Sequence, residues 1–110
     1  MKKASLVHDL KYNENKPAVQ VLLDTDSSRE IRIAMRKGHA MKEHKTPYPI
    51  VVEIFEGQVS FRVKDDSYDL KKGDLVYLEG DVLHDLKAEE DSIIRLTLTK
   101  ADTAERVKGV

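Results

Sequence analysis

The chain has 110 residues, 40% of them hydrophobic and 35% charged, a length and balance that fit one globular domain with a single modest core and exclude a disordered chain. With 19 Lys+Arg against 20 Asp+Glu the formal net charge is -1, so no basic excess is available for phosphates and nucleic acid is not an expected partner. There is no cysteine, which excludes disulfides and thiolate chemistry and leaves any metal to nitrogen and oxygen ligands.

Residues 1–17 are polar apart from Leu6-Val7 and read as an N-terminal arm able to add an edge strand. This stretch lacks the apolar run of a signal peptide, and no segment reaches the roughly 20 apolar residues of a transmembrane helix, so a cytoplasmic protein without membrane contact is expected. Ala18 to Leu23 and Glu30 to Met35 are strand-like, separated by the turn formers Asp24-Thr25-Asp26-Ser27-Ser28. In the second run Ile31, Ile33 and Met35 alternate with Arg32, Ala34 and Arg36, the pattern of a half-buried strand. Ile50 to Phe55 is a dense β-branched run ending at Glu56-Gly57, which predicts a tight hairpin, with Val59, Phe61 and Val63 on the return strand.

Asp65-Asp66-Ser67 turns the chain, Tyr68 to Leu70 is a short strand, and Lys71-Lys72-Gly73-Asp74 turns it again. Leu75 to Leu78, Val82 to Ala88 and Ile93 to Thr99 complete the set, and residues 101–110 read as a tail or a short helical turn. Short strands at about 8–12-residue spacing predict an all-β sandwich or barrel. A jelly-roll barrel closes its edges by folding two sheets together. An immunoglobulin-like sandwich is the alternative, although the chain lacks that family's Trp and Cys.

Two histidines carry the chemical interest. Alternation puts His84 with Val82, Leu86 and Ala88 on an apolar, inward face, and Leu83, Asp85 and Lys87 on the other. For His44 the two faces, Lys42/His44/Thr46 and Met41/Glu43/Lys45, are equally polar, and Pro47 and Pro49 break the strand that follows. An inward histidine is usually a hydrogen-bonded core residue; two that converge on one cavity would instead make a ligand or metal site. His39 beside Gly38 reads as a loop residue, His8 as solvated, and Glu43 and Asp85 as surface carboxylates. Tyr48 and Tyr77 are candidate pocket phenols. Glu53, opposite in parity to Ile50, Val52 and Ile54, is either exposed or at a subunit contact.

Two glycine-histidine stretches then stand out. The first runs Gly38, five residues, His44, Lys45, Thr46, three residues, Ile50, six residues, Gly57. The second runs Gly73, five residues, Glu79, Gly80, Asp81, two residues, His84, three residues, Ala88. Their order, internal spacing and separation resemble the two motifs of small bacterial cupins, G-x5-H-x-H-x(3 or 4)-E-x6-G and G-x5-P-x-G-x2-H-x3-N. The resemblance covers residues 31–99 and implies a double-stranded β-helix of the jelly-roll type within a single domain spanning 1–110. The family's metal is held by positions that correspond here to His44, Thr46, Ile50 and His84. Thr46 is a poor ligand and Ile50 has no donor, so the resemblance implies a degenerate metal site. The second motif's Pro and second Gly are replaced by Glu79 and Asp81, with Gly80 between them to serve the turn.

The candidate site is therefore a pocket of His44, His84 and Tyr48. Its functional readings are a small-molecule-binding cupin, a metal-dependent enzyme of dioxygenase or isomerase type, and an empty structural barrel. His44 and His84 could hold one divalent transition metal (Zn, Ni, Fe, Mn or Cu) with waters completing the shell. Without metal they would bind an anionic or polar molecule or act as acid and base. The resemblance also implies a homodimer, for which Val51, Phe55 and the Val19/Val21/Leu23 face of the early strand offer apolar cover.

Overall fold

Residues 1–100, which the computed structural model describes, form nine strands in two antiparallel sheets; the expected tail at 101–110 lies outside the described residues. The strands are β1 (Ala18–Asp24), β2 (Ser28–Met35), β3 (Ala40–His44), β4 (Ile50–Glu56), β5 (Gln58–Val63), β6 (Asp66–Lys71), β7 (Leu75–Leu78), β8 (His84–Ala88) and β9 (Ser92–Thr99). One sheet has the order β1-β2-β9-β4-β7 and the other β3-β8-β5-β6. This is the jelly-roll, double-stranded β-helix arrangement that the cupin resemblance implies. No helix among the described residues is long and apolar enough to cross a membrane.

The inner faces meet in one core. Ile31, Ile33, Met35, Ile50, Val52, Ile54 and Ile94 from the first sheet pack on Val59, Phe61, Leu86 and Ala88 from the second. Period-two alternation of β-branched and aromatic residues supplies these faces, and their burial is the main favourable term in folding.

Three local expectations are corrected. Glu56-Gly57 is not a hairpin: β4 belongs to the first sheet and β5 to the second, so the chain turns a corner between sheets there. Gly57 has φ +94°, and a Cβ on it would lie 2.2 Å from Ser92 Oγ and 2.5 Å from Asp91 O. The buried Ser92 hydroxyl accepts the Gln58 N–H at the same corner, which draws the two segments together.

The strand β2 is not half-buried. Arg32 and Ala34, on its outer face, are 2% and 1% exposed. The N-terminal arm covers this face without forming a strand. Arg32 Nη1 donates to the carbonyls of Ser5, Leu6 and His8, and Nη2 to Asp9 O and Gln20 Oε1. A guanidinium carries five N–H donors in a fixed fork, so one side chain can gather several turns of irregular backbone.

Leu23 does not share a face with Val19 and Val21. A register shift between Val21 and Leu23 pairs Leu23 with the outward Glu30, whereas Val19 and Val21 pair with the inward Ile33 and Ile31. A bulge reverses strand parity, which alternation in the sequence does not reveal. Gly80 does lie in the turn before β8, whose left-handed residue is Asp81 (φ 63°). Gly80 also permits close approach, since a Cβ there would lie 2.5 Å from Pro47 O.

Candidate functional site

A bulge builds the centre of the site. In the β3–β8 pairing Met41 faces Leu86, then the register shifts and His44 faces His84. Met41 and His44 both turn inward although they are three residues apart, because the extra residue resets the alternation. The equal polarity of the two faces around His44 is thus resolved by the backbone.

The imidazoles of His44 and His84 have centroids 4.4 Å apart at an interplanar angle of 61°. Each ring makes the same local bond. His44 Nδ1 lies 2.6 Å from Lys42 O, and His84 Nδ1 lies 2.9 Å from Val82 O. A carbonyl can only accept, so both rings carry their proton on Nδ1 when neutral and present Nε2 as an acceptor. Among the described residues neither Nε2 has a hydrogen-bond partner. His84 is buried, and Phe61 stacks on it with centroids 5.6 Å apart and planes 9° from parallel. Burial holds the His84 pKa below its ordinary value, and the neighbouring His44 adds to this, against the opposing pull of the Val82 carbonyl and Asp85.

The cavity beside the pair has a volume of about 30 Å³ and is walled by Ile33, Met41, Ile50, Val52, Phe61 and Leu86 among others. That is room for one water. Thr46 also lines it, but its hydroxyl donates to Tyr48 O, and Ile50 presents only carbon. No group of three or more His, Cys, Asp or Glu side chains among the described residues is placed to hold a metal ion. Two imidazoles with an occupied hydroxyl are half the donor set of a tight transition-metal site, so the residues present do not fit the family's metal.

Outside the cavity, and sharing Thr46 with it, lies a pocket of about 340 Å³ lined by Arg29, Pro47, Tyr48, Leu98, Thr99 and Lys100. The turn before β8 fixes Thr46 in place, because Asp81 N–H donates to Thr46 O at 2.7 Å. Arg29 and Lys100 both pair with Asp24, and Arg29 Nε is buried without a hydrogen-bond partner among the described residues.

The other candidates separate clearly. Tyr48 lines this outer pocket and not the histidine cavity, since it sits in the Pro47–Pro49 loop beyond the end of β3. Tyr77 is 54% exposed on β7, away from both. His39 is a turn residue: its Nδ1 accepts the Arg36 N–H and its Nε2 contacts Glu14 O at 3.0 Å. The His8 side chain is 81% exposed. Glu43 faces solvent and Asp85 pairs with Arg62 at 2.6 Å. Glu53 is half-buried and bonded to Arg95. Sequence reasoning missed Phe61 and Arg29 as parts of the site. The inward parity of Phe61 was a signal for the first; nothing in the pattern around Arg29 distinguishes it.

The model of the AraC-like ligand binding domain matches residues 28–104. The chain belongs to this family. Solved cupins share its fold. An RmlC-like cupin from Desulfovibrio desulfuricans has 14% identity over 90% of this chain and 96% of that one, with a TM-score of 0.82. An RmlC-like cupin from Shewanella frigidimarina has 18% identity over 96% of each chain and a TM-score of 0.78. A protein from Thermus thermophilus has 23% identity over 90% of this chain and 96% of that one, with a TM-score of 0.79. At these identities the likeness carries the fold alone. No curated protein matches the sequence. The cupin resemblance of the two glycine-histidine motifs is thus met by family and fold together.

Proposed function

We propose that this cupin binds a small organic acid carrying a hydroxyl or N–H group, without a transition metal and without catalysis. The observation that carries the reading is the matched pair of imidazoles, each with Nδ1 committed to a backbone carbonyl and Nε2 open. Two adjacent acceptors favour a ligand atom that donates hydrogen bonds. The cavity beside them admits only such a tip, and the adjoining pocket of about 340 Å³ is of small-molecule size. Arg29 and Lys100 at that pocket favour a carboxylate at the outer end of the ligand. Tyr48 contacts the ligand body there.

The test is a thermal-shift and calorimetric screen of short hydroxy acids with metal analysis alongside. The expected result is a ligand-induced rise in Tm that His44→Ala and His84→Ala each abolish. Stoichiometric Fe, Mn, Ni, Cu or Zn in the purified protein, lost in both variants, would overturn it in favour of the metal-dependent dioxygenase or isomerase reading.

The same reading includes a homodimer. Val19 and Val21 on the edge strand β1 are 58% and 48% exposed on the face that turns inward elsewhere in the sheet, which suits a second copy. A monomer mass by light scattering at micromolar concentration would exclude it.

A further inference from the structure

The two sheets end side by side at β6 and β7, each the last strand of its sheet. Between them lies a slot of about 340 Å³ whose walls include Phe61, Tyr68, Leu70, Leu75, Tyr77 and Leu78. It is separate from the pocket at Arg29 and Thr46, with which it shares no residue. Phe61 lies at its base, fully buried, and the same ring lines the histidine cavity and stacks on His84.

Three features set this slot apart from ordinary surface. Its lining contains no acidic or basic side chain, in a chain that is 35% charged. Tyr68, Leu75 and Tyr77, at 51%, 64% and 54% exposure, concentrate apolar area in one place, which marks a binding surface rather than scattered exposure. Lastly, the surface is concave and its volume lies in the range of small-molecule sites.

We propose that the slot between β6 and β7 is a second ligand pocket, for a neutral molecule with an aromatic ring, and that Phe61 is the wall it shares with the histidine pair. A charged ligand would lose hydration there with nothing to replace it. An aromatic one meets Tyr68, which faces Phe61 across the β5–β6 pairing, and Tyr77 from the other sheet. Movement of the Phe61 ring changes the surface against which His84 is stacked, so occupancy of the slot is felt at the imidazoles. This site stands whether or not an organic acid binds at His44 and His84.

The neutral naphthalene dye prodan tests the proposal. Titration into the protein is expected to give saturable, blue-shifted emission at one dye per chain. Leu75→Glu and Tyr68→Ser are both at exposed positions and are expected to keep the parent's circular dichroism spectrum; each is expected to weaken binding at least tenfold. Leu83→Ser, an exposed apolar position outside the slot, is expected to bind like the parent. Binding is also expected to shift the His84 ring-proton resonance. Equal dye affinity in Leu75→Glu and the parent would overturn the proposal. So would loss of dye binding in Leu83→Ser, which would indicate non-specific adherence. A dimer that dissociates on Leu75→Glu, with no dye bound by the parent, would assign the slot to a second copy instead.

Discussion

His44 and His84 are direct cross-strand partners between β3 and β8, and their rings touch edge to face at 4.4 Å. The pairing depends on the bulge between Met41 and His44; in an unbroken register Glu43 would face His84 and the imidazoles would lie on opposite sides of the sheet.

The buried member of this pair makes stability depend on pH. His84 has a lowered pKa in the folded protein because burial disfavours the charged ring, whereas the unfolded chain titrates it near the ordinary imidazole value of 6.5. Between those two values the unfolded state binds the extra proton, so stability is full above about pH 6.5 and falls as the pH drops towards the folded value. Tm measured from pH 8 to pH 5 is expected to decline on the acid side. The decline is expected to be shallower in His84→Gln, and an identical slope in that variant would show that His84 is not its source.

Gly57→Ala and Gly73→Ala separate steric demand from backbone demand. Both glycines have positive φ, at +94° and +93°, but only Gly57 is crowded, with Ser92 Oγ 2.2 Å from the position of a Cβ. A Cβ at Gly73 meets nothing within 4 Å. Gly73→Ala is expected to cost about 1–2 kcal/mol from the left-handed backbone alone. Gly57→Ala is expected to cost more than about 3 kcal/mol, because the corner between the sheets must open. Urea unfolding midpoints check the difference.

Arg32→Met keeps much of the side-chain volume and removes the bonds to the Ser5, Leu6, His8 and Asp9 carbonyls of the N-terminal arm. Losing a charged donor to several partly buried carbonyls is expected to cost roughly 2 kcal/mol, or a Tm lower by about 10 °C. Limited proteolysis is expected to cut first within residues 1–17 of the variant, while the parent resists. Equal cleavage rates would mean that the arm is held by other contacts.

Thr46→His places an imidazole at the second of the four positions that the cupin motif uses for metal, making three histidines with His44 and His84. Thr46 already lines the cavity with His44 and His84. The variant is expected to bind Ni²⁺ or Zn²⁺ at least tenfold more tightly than the parent, measured by calorimetry, since a third nitrogen ligand completes the protein's share of an open site. Unchanged affinity would mean that the loop before β4 points position 46 away from the two Nε2 atoms.

Strand content, the core face of β4 and β5 and the inward turn of His84 were legible in the chain because each depends on neighbours two residues away. Alternation and turn chemistry are local, and so the all-β class and most strand positions follow from them directly. The two glycine-histidine motifs carried the cupin topology for the same reason: their spacing records strand and turn lengths.

Long-range packing decided the rest. Bulges in β1 and β3 are invisible to a period-two reading, yet they separate Leu23 from Val21 and bring His44 to His84. Glu56-Gly57 looked like a hairpin because a tight turn and a corner between sheets use the same residues; only the opposing Ser92 distinguishes them. Arg32 looked solvent-facing because its partners are carbonyls more than twenty residues earlier, together with Gln20. The size of the cavity is likewise a property of eleven side chains from several strands. Chain chemistry alone thus establishes which residues are able to face inward, while the space left between them, and the meeting of the two imidazoles, arise only when both sheets are closed.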